Sequence, residues 1–208
     1  MKTAVLIHCM VFTGLMVSQG QTISKPLHEA GTVYVRFTPD YRPLLSPADT
    51  VYFDPSRKLV WEDFQGVANL QGQTAAESYS SFWYIGHSRQ VKDTAWVYLT
   101  LQIFLVKSAS WVRPDSRTAY DLAHEQLHFD ITAIAAYHFR DTVIRDPYLP
   151  GDYNSRIQYL FLDGFRYMNS LQEAYDRETD HGMDPMQQRK WEEMVTRWLK
   201  QESGSGIQ

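Results

Sequence analysis

The chain has 208 residues, 44% of them hydrophobic and 14% aromatic, which is enough to bury one core and too apolar for a disordered protein. Its 24 acidic and 20 basic residues leave a formal charge of -4 with no block of lysines or arginines, so no nucleic-acid surface is expected. A single cysteine, Cys9, excludes a disulfide framework and a thiolate metal cluster.

Residues 1–20 have the layout of an export signal. Lys2 is followed by a mostly apolar run from Ala4 to Val17, and small residues stand at Ser18-Gln19-Gly20 where cleavage would fall. The run is too short and interrupted to span a bilayer comfortably, so no stable membrane span is expected once the signal is removed, and the protein is expected in the periplasm, cell envelope or extracellular space. Cleavage also removes Cys9. Residues 21–30 read as a loose lead-in, and 31–202 as one domain.

Within that domain, Thr32 to Thr38 is β-branched and aromatic and predicts a strand closed by Pro39-Asp40. Tyr41 to Ala48, with Pro43 and Pro47, predicts a loop, and Thr50 to Phe53 a second short strand. Lys58 to Gly66 predicts a strand running into a turn, with Trp61 and Phe64 as core residues. The strongest strands are Ala75 to Gly86 and Thr94 to Val106, joined near Val91 and Asp93 as a long antiparallel hairpin. In the second, Val97, Leu99, Leu101, Ile103 and Leu105 share one face, and Trp96, Tyr98, Thr100, Gln102 and Phe104 the other.

Beyond Pro114 the period changes to that of a helix. Asp115 or Ser116 is the expected cap of a first helix running towards Ile144. A second spans Asp152 to Arg177, with Gly164 as a weak point, and a third Met186 to Gln201, presenting Trp191, Met194, Val195 and Trp198 on one side; 203–208 predicts a flexible tail. Strands first and helices afterwards predict an α+β domain, an N-terminal antiparallel sheet packed against a helical C-terminal half.

The first helix carries His124-Glu125-Gln126-Leu127-His128. Histidines four apart on a helix differ by about 40° in azimuth and about 6 Å in height, so both rings can face one ion. A carboxylate directly after the first histidine is placed to take a proton from water beside that ion, the division of labour in H-E-x-x-H metallopeptidases. The site predicts one zinc ion per chain, His124 and His128 as ligands and Glu125 as general base.

A catalytic zinc has a third protein ligand. His138 is ten residues past His128, about 15 Å along the same helix, and too far away. Ile131 and Ile134 stand where the extended H-E-x-x-H-x-x-G-x-x-H pattern needs glycine and histidine, so that subclass is excluded. The candidates lie at the end of the second helix: His181, just before Gly182, with Glu173, Asp176 and Asp180 as carboxylate rivals. Asp130 or Asp121 is placed to orient a ligand imidazole, and Tyr175 to donate to the oxyanion of a cleaved carbonyl, or else to serve as a core residue.

Three segments together, Trp61-Glu62-Asp63-Phe64 with Gly66, Ala123 to Ile131, and Tyr175 to Gly182, resemble a bacterial domain-of-unknown-function family described as predicted secreted zinc-dependent proteases. The resemblance covers roughly Val60 to Trp191. It implies a zincin-like metallopeptidase with His124 and His128 as ligands, Glu125 as acid/base and His181 as the third ligand, acting on peptide or protein substrates. A non-catalytic, metal-stabilised envelope binding protein and a cell-wall peptide amidase are the alternatives.

Overall fold

The computed structural model describes residues 31–38, 47–72 and 74–204, so the expected signal with Cys9, the lead-in, most of the proline loop and residues 205–208 lie outside the described residues. The described strands are β1 (Thr32–Thr38), β2 (Thr50–Tyr52), β3 (Ala76–Glu77), β4 (Ser80–Val91), β5 (Thr94–Val106) and β6 (Trp111–Val112). Three helices follow: α1 (Ala119–Arg145), α2 (Tyr153–Thr179) and α3 (Pro185–Gly204). The chain is an α+β protein, with its sheet in the N-terminal half and its helices in the C-terminal half.

β5 is the spine of the sheet. β4 pairs antiparallel along nearly all of it, from Val91 opposite Thr94 to Ser80 opposite Leu105, through a tight turn in which Lys92 takes a φ of +54°. The other edge of β5 is shared: β1 runs parallel to it from Thr94 to Thr100, and β2 antiparallel from Phe104 to Val106. The expectation of an antiparallel sheet is therefore corrected to a mixed one. Strand direction depends on how the chain returns to the sheet, which a local alternation pattern does not encode.

Two further segments depart from expectation. Ala75 to Gly86 is broken at Ser78-Tyr79, because β3 pairs with β6 while β4 pairs with β5. Lys58 to Gly66 is a loop with one 3₁₀ turn at Trp61–Asp63. Leu59 N–H donates to Gln126 Oε1 on α1 at 2.7 Å, and Asp63 is held by a two-toothed contact from Arg57 at 2.8 and 3.0 Å. This loop is thereby clipped to the motif-bearing helix, with Leu59 and Phe64 buried beneath it.

The alternation read in β5 decides the core. Val97, Leu99, Leu101, Ile103 and Leu105 are each 4% exposed or less, and burying a side chain of this size is worth roughly 1.5–3 kcal/mol. α1 lies on that face and is covered from behind by α2 and α3, so every residue from Phe129 to Tyr137 is buried. A helix enclosed on all sides has no polar stripe. Gly164 is where α2 comes closest: a Cβ there would meet Phe139 Cβ at 3.0 Å and Phe82 Cζ at 3.4 Å. A residue that weakens a helix in isolation here sets the packing distance.

α1 begins later than expected. Thr118 is its cap, accepting from Asp121 N–H at 3.0 Å, while Ser116 belongs to the preceding turn. A second core cluster, Leu127, Ile131, Ile134, Tyr175, Trp191 and Val195, ties α1, α2 and α3 together beside the histidines. α3 continues to Gly204, past the expected start of the tail.

Candidate metal centre

His124 and His128 lie one turn apart on the stretch of α1 that α2 and α3 cover, and the end of α2 brings Asp176 against them. His128 Nε2 is 2.9 Å and His124 Nε2 3.4 Å from Asp176 Oδ1, and the two Nε2 atoms are 3.2 Å apart. Donors about 2.0–2.1 Å from a tetrahedral ion stand about 3.3 Å from one another. The triangle has that size, and among the described residues His124, His128 and Asp176 form a group able to hold a metal ion.

The far side of each ring explains which nitrogen faces inward. Gln172 Nε2 donates to His128 O at 2.9 Å and to Thr132 Oγ1 at 3.0 Å, which turns its Oε1 towards His128 Nδ1. Gln188 donates through Nε2 to Glu192 Oε1 at 3.2 Å; its Oε1 accepts from Tyr175 Oη at 2.6 Å and from His124 Nδ1 at 3.1 Å. With both Nδ1 atoms engaged by amide oxygens, both Nε2 atoms are turned towards the Asp176 carboxylate. Three acceptors converging on one point call for a cation, either a proton or a metal ion.

The electrostatics agree. Burial on its own would lower the His128 pKa, but the hydrogen bond to Asp176 and the charges of Glu125 and Asp176 lift it to about 9. Burial would likewise raise Asp176, yet its contacts with His124 and His128 hold it well below the usual carboxylate range.

Glu125 is 5% exposed and its Oε2 is buried without a hydrogen-bond partner. It directly follows His124 on α1, and its charge raises the pKa of both His128 and Tyr175. An unpartnered carboxylate oxygen is costly in a structural position and suits one that handles protons.

His181 is not brought into the donor group. α2 ends at Thr179, and Asp180, His181 and Gly182 take φ values of +50°, +53° and +84°, a left-handed run that turns the chain away from the helix axis. Non-glycine residues in this region cost roughly 1–2 kcal/mol each. The His181 ring is 71% exposed, with Nδ1 3.9 Å from Asp176 Oδ2. The turn also presses Gly182 on His124: a Cβ at Gly182 would lie 3.2 Å from His124 Nδ1.

Other expected roles are redistributed. Tyr175 is fully buried, stacked on His124 with centroids 4.7 Å apart, and its hydroxyl is committed to Gln188; burial pushes its pKa above the usual phenol range. It is a platform for the histidines, and the expectation of an oxyanion donor is corrected. Asp130 is bound by Gln126 at 2.7 Å and Lys58 at 3.3 Å, and Asp121 by the Thr118 cap, so neither orients an imidazole. Gln172 and Gln188 do so, and sequence reasoning missed both. The only signal for Gln172 was its place one turn before Asp176. Glu173 and Asp180 lie outside the donor group, and His138 is exposed against Tyr167.

No protein-family model, curated protein or solved structure matches this chain. Among the described residues, no helix is long and apolar enough to cross a membrane.

Proposed function

We propose that this chain is an exported zinc-dependent metallopeptidase that hydrolyses amide bonds of peptides. The observation that carries the reading is the convergence of His124 Nε2, His128 Nε2 and an Asp176 oxygen beside the buried, unpartnered Glu125 carboxylate. Two imidazoles and one carboxylate are a donor set of catalytic zinc, leaving a fourth position open. The same donor types serve iron(II) in oxygenases. A proton-handling carboxylate next to the donors favours hydrolysis.

When bound, zinc supplies a Lewis acid that acidifies water and polarises a carbonyl. Gln172 and Gln188 fix the two imidazoles in direction through their Nδ1 atoms, so the chain presents both Nε2 atoms to the ion with no rotamer search. Glu125 takes the proton of the attacking water and delivers it to the leaving nitrogen; its burial beside the histidines limits exchange of that proton with bulk solvent. Tyr175 and Gly182 restrain the His124 ring.

The test is hydrolysis of a mixed peptide library by the zinc-loaded protein. Cleavage is expected from wild type, lost with chelator and lost in Glu125→Gln, which should keep its zinc and fall at least a hundredfold in turnover. Wild-type turnover in Glu125→Gln would reject the assigned base. Zinc retained by wild type without any cleavage would favour the non-catalytic binding protein, and cleavage confined to peptidoglycan peptides the amidase.

A further inference from the structure

We propose that His181 is a catalytic residue, not a ligand: its ring N–H donates to the scissile carbonyl oxygen as that oxygen gains negative charge. This rests on the peptidase reading above. Its ring stands beside the donor group and outside it: Nδ1 lies 3.9 Å from Asp176 Oδ2, while Oδ1 is the atom that faces the histidines. At 3.9 Å the ring makes no hydrogen bond to Asp176, and among the described residues its donor has no other acceptor.

The other hydroxyl donors beside the group are already used. Tyr175 Oη donates to Gln188 Oε1 at 2.6 Å, and Tyr120 Oη to Gly182 O at 2.5 Å. The His181 backbone, by contrast with its ring, is tightly held: its N–H donates to Asp176 O at 2.7 Å, and Gly182 N–H to Thr179 Oγ1 at 3.2 Å. Its φ of +53° is a conformation that few non-glycine residues adopt, and such backbone is retained where the surroundings over-determine it, often at functional sites. A fixed pivot carries an exposed imidazole at the edge of the donor group. That is the arrangement needed to contact a substrate oxygen without competing for the ion.

The step balances as a hydrolysis. The water oxygen bonds to the carbonyl carbon, the C=O π pair moves onto the carbonyl oxygen, and Glu125 holds the water's proton. The pair then reforms C=O, the C–N bond breaks, and the leaving nitrogen takes the bond pair and the proton from Glu125. His181 donates a hydrogen bond throughout and keeps its own proton.

The experiment compares wild type, His181→Ala and His181→Gln for zinc per chain, for kcat and KM on a peptide that wild type cleaves, and for affinity towards a phosphonate analogue of that peptide. His181→Ala should keep one zinc, lose roughly a hundredfold in kcat with KM within about threefold, and lose phosphonate affinity in parallel. His181→Gln, which retains an N–H donor, should recover part of both. Loss of zinc in His181→Ala would make the residue a ligand and overturn the proposal. So would unchanged kcat and phosphonate affinity, a kcat fall that phosphonate affinity does not follow, or a glutamine variant no better than alanine. If zinc-loaded wild type cleaves no peptide, the peptidase reading fails and this proposal with it; if wild type cleaves and His181→Ala matches it, this proposal alone fails.

Discussion

Zinc and a proton compete for the same lone pair on His128, and the structure gives the size of the competition. With its pKa lifted to about 9, His128 is protonated at pH 7 in roughly 99 of 100 metal-free molecules, since each pH unit is a factor of ten. Zinc entering at pH 7 therefore expels about one proton from this ring, and apparent affinity should rise about tenfold per pH unit to near pH 9. The full span is about a hundredfold, or about 2.7 kcal/mol. A chelating dye competed against the protein at several pH values measures the slope, and calorimetry in two buffers of different ionisation enthalpy counts the proton. Affinity that stays flat from pH 7 to 8.5, or binding at pH 7 without proton release, would refute the reasoning. The sign for stability follows from the same shift: a folded-state pKa above the unfolded value stabilises the metal-free protein fully below about pH 6.5, and this contribution is lost as pH rises through about 9. Asp176→Asn removes the contact and charge that lift His128, so the stability transition of the metal-free protein should move to lower pH.

Two substitutions test the surroundings of His124. Gln188→Leu leaves the His124 Nδ1–H and the Tyr175 hydroxyl without their acceptor in a site that is 1% exposed, and zinc affinity should fall roughly 10–100-fold in the same dye competition; wild-type affinity would show that the amide does not orient the ring. Gly182→Ala sets a methyl 3.2 Å from His124 Nδ1 at a φ of +84°, and denaturant unfolding should show a loss of roughly 1–3 kcal/mol together with weaker zinc binding. Unchanged stability there would contradict the close approach.

The elements that sequence shows most plainly are those whose pattern is enforced by burial. Val97 to Leu105 alternate because one face of β5 meets α1 and the other does not, and Trp191, Val195 and Trp198 recur at helical spacing because α3 packs one side on the bundle. The parallel pairing of β1 with β5 leaves no such trace, since Val33, Val35 and Phe37 alternate equally well in either direction. At the site, two imidazoles and a carboxyl at fixed helical spacing are legible because the helix alone sets their geometry. The third donor is not, because it depends on where α2 stops: Asp176 is still inside the helix, whereas His181 lies past the left-handed turn that carries it to the rim. Histidine outranks aspartate as a zinc ligand by chemical type, and that preference points past the turn to His181 instead of to Asp176. Gln172 and Gln188 carry no signal of their own, glutamine being ordinary on any helix surface.

The direct test of the metal centre is the divalent-metal content per chain of wild type, Asp176→Ala and His181→Ala after zinc loading and desalting against a weak chelator. One zinc is expected in wild type and in His181→Ala, and none in Asp176→Ala, with all three folded by circular dichroism. Zinc retained by Asp176→Ala, or no tightly held zinc in wild type, would contradict a centre built from His124, His128 and Asp176.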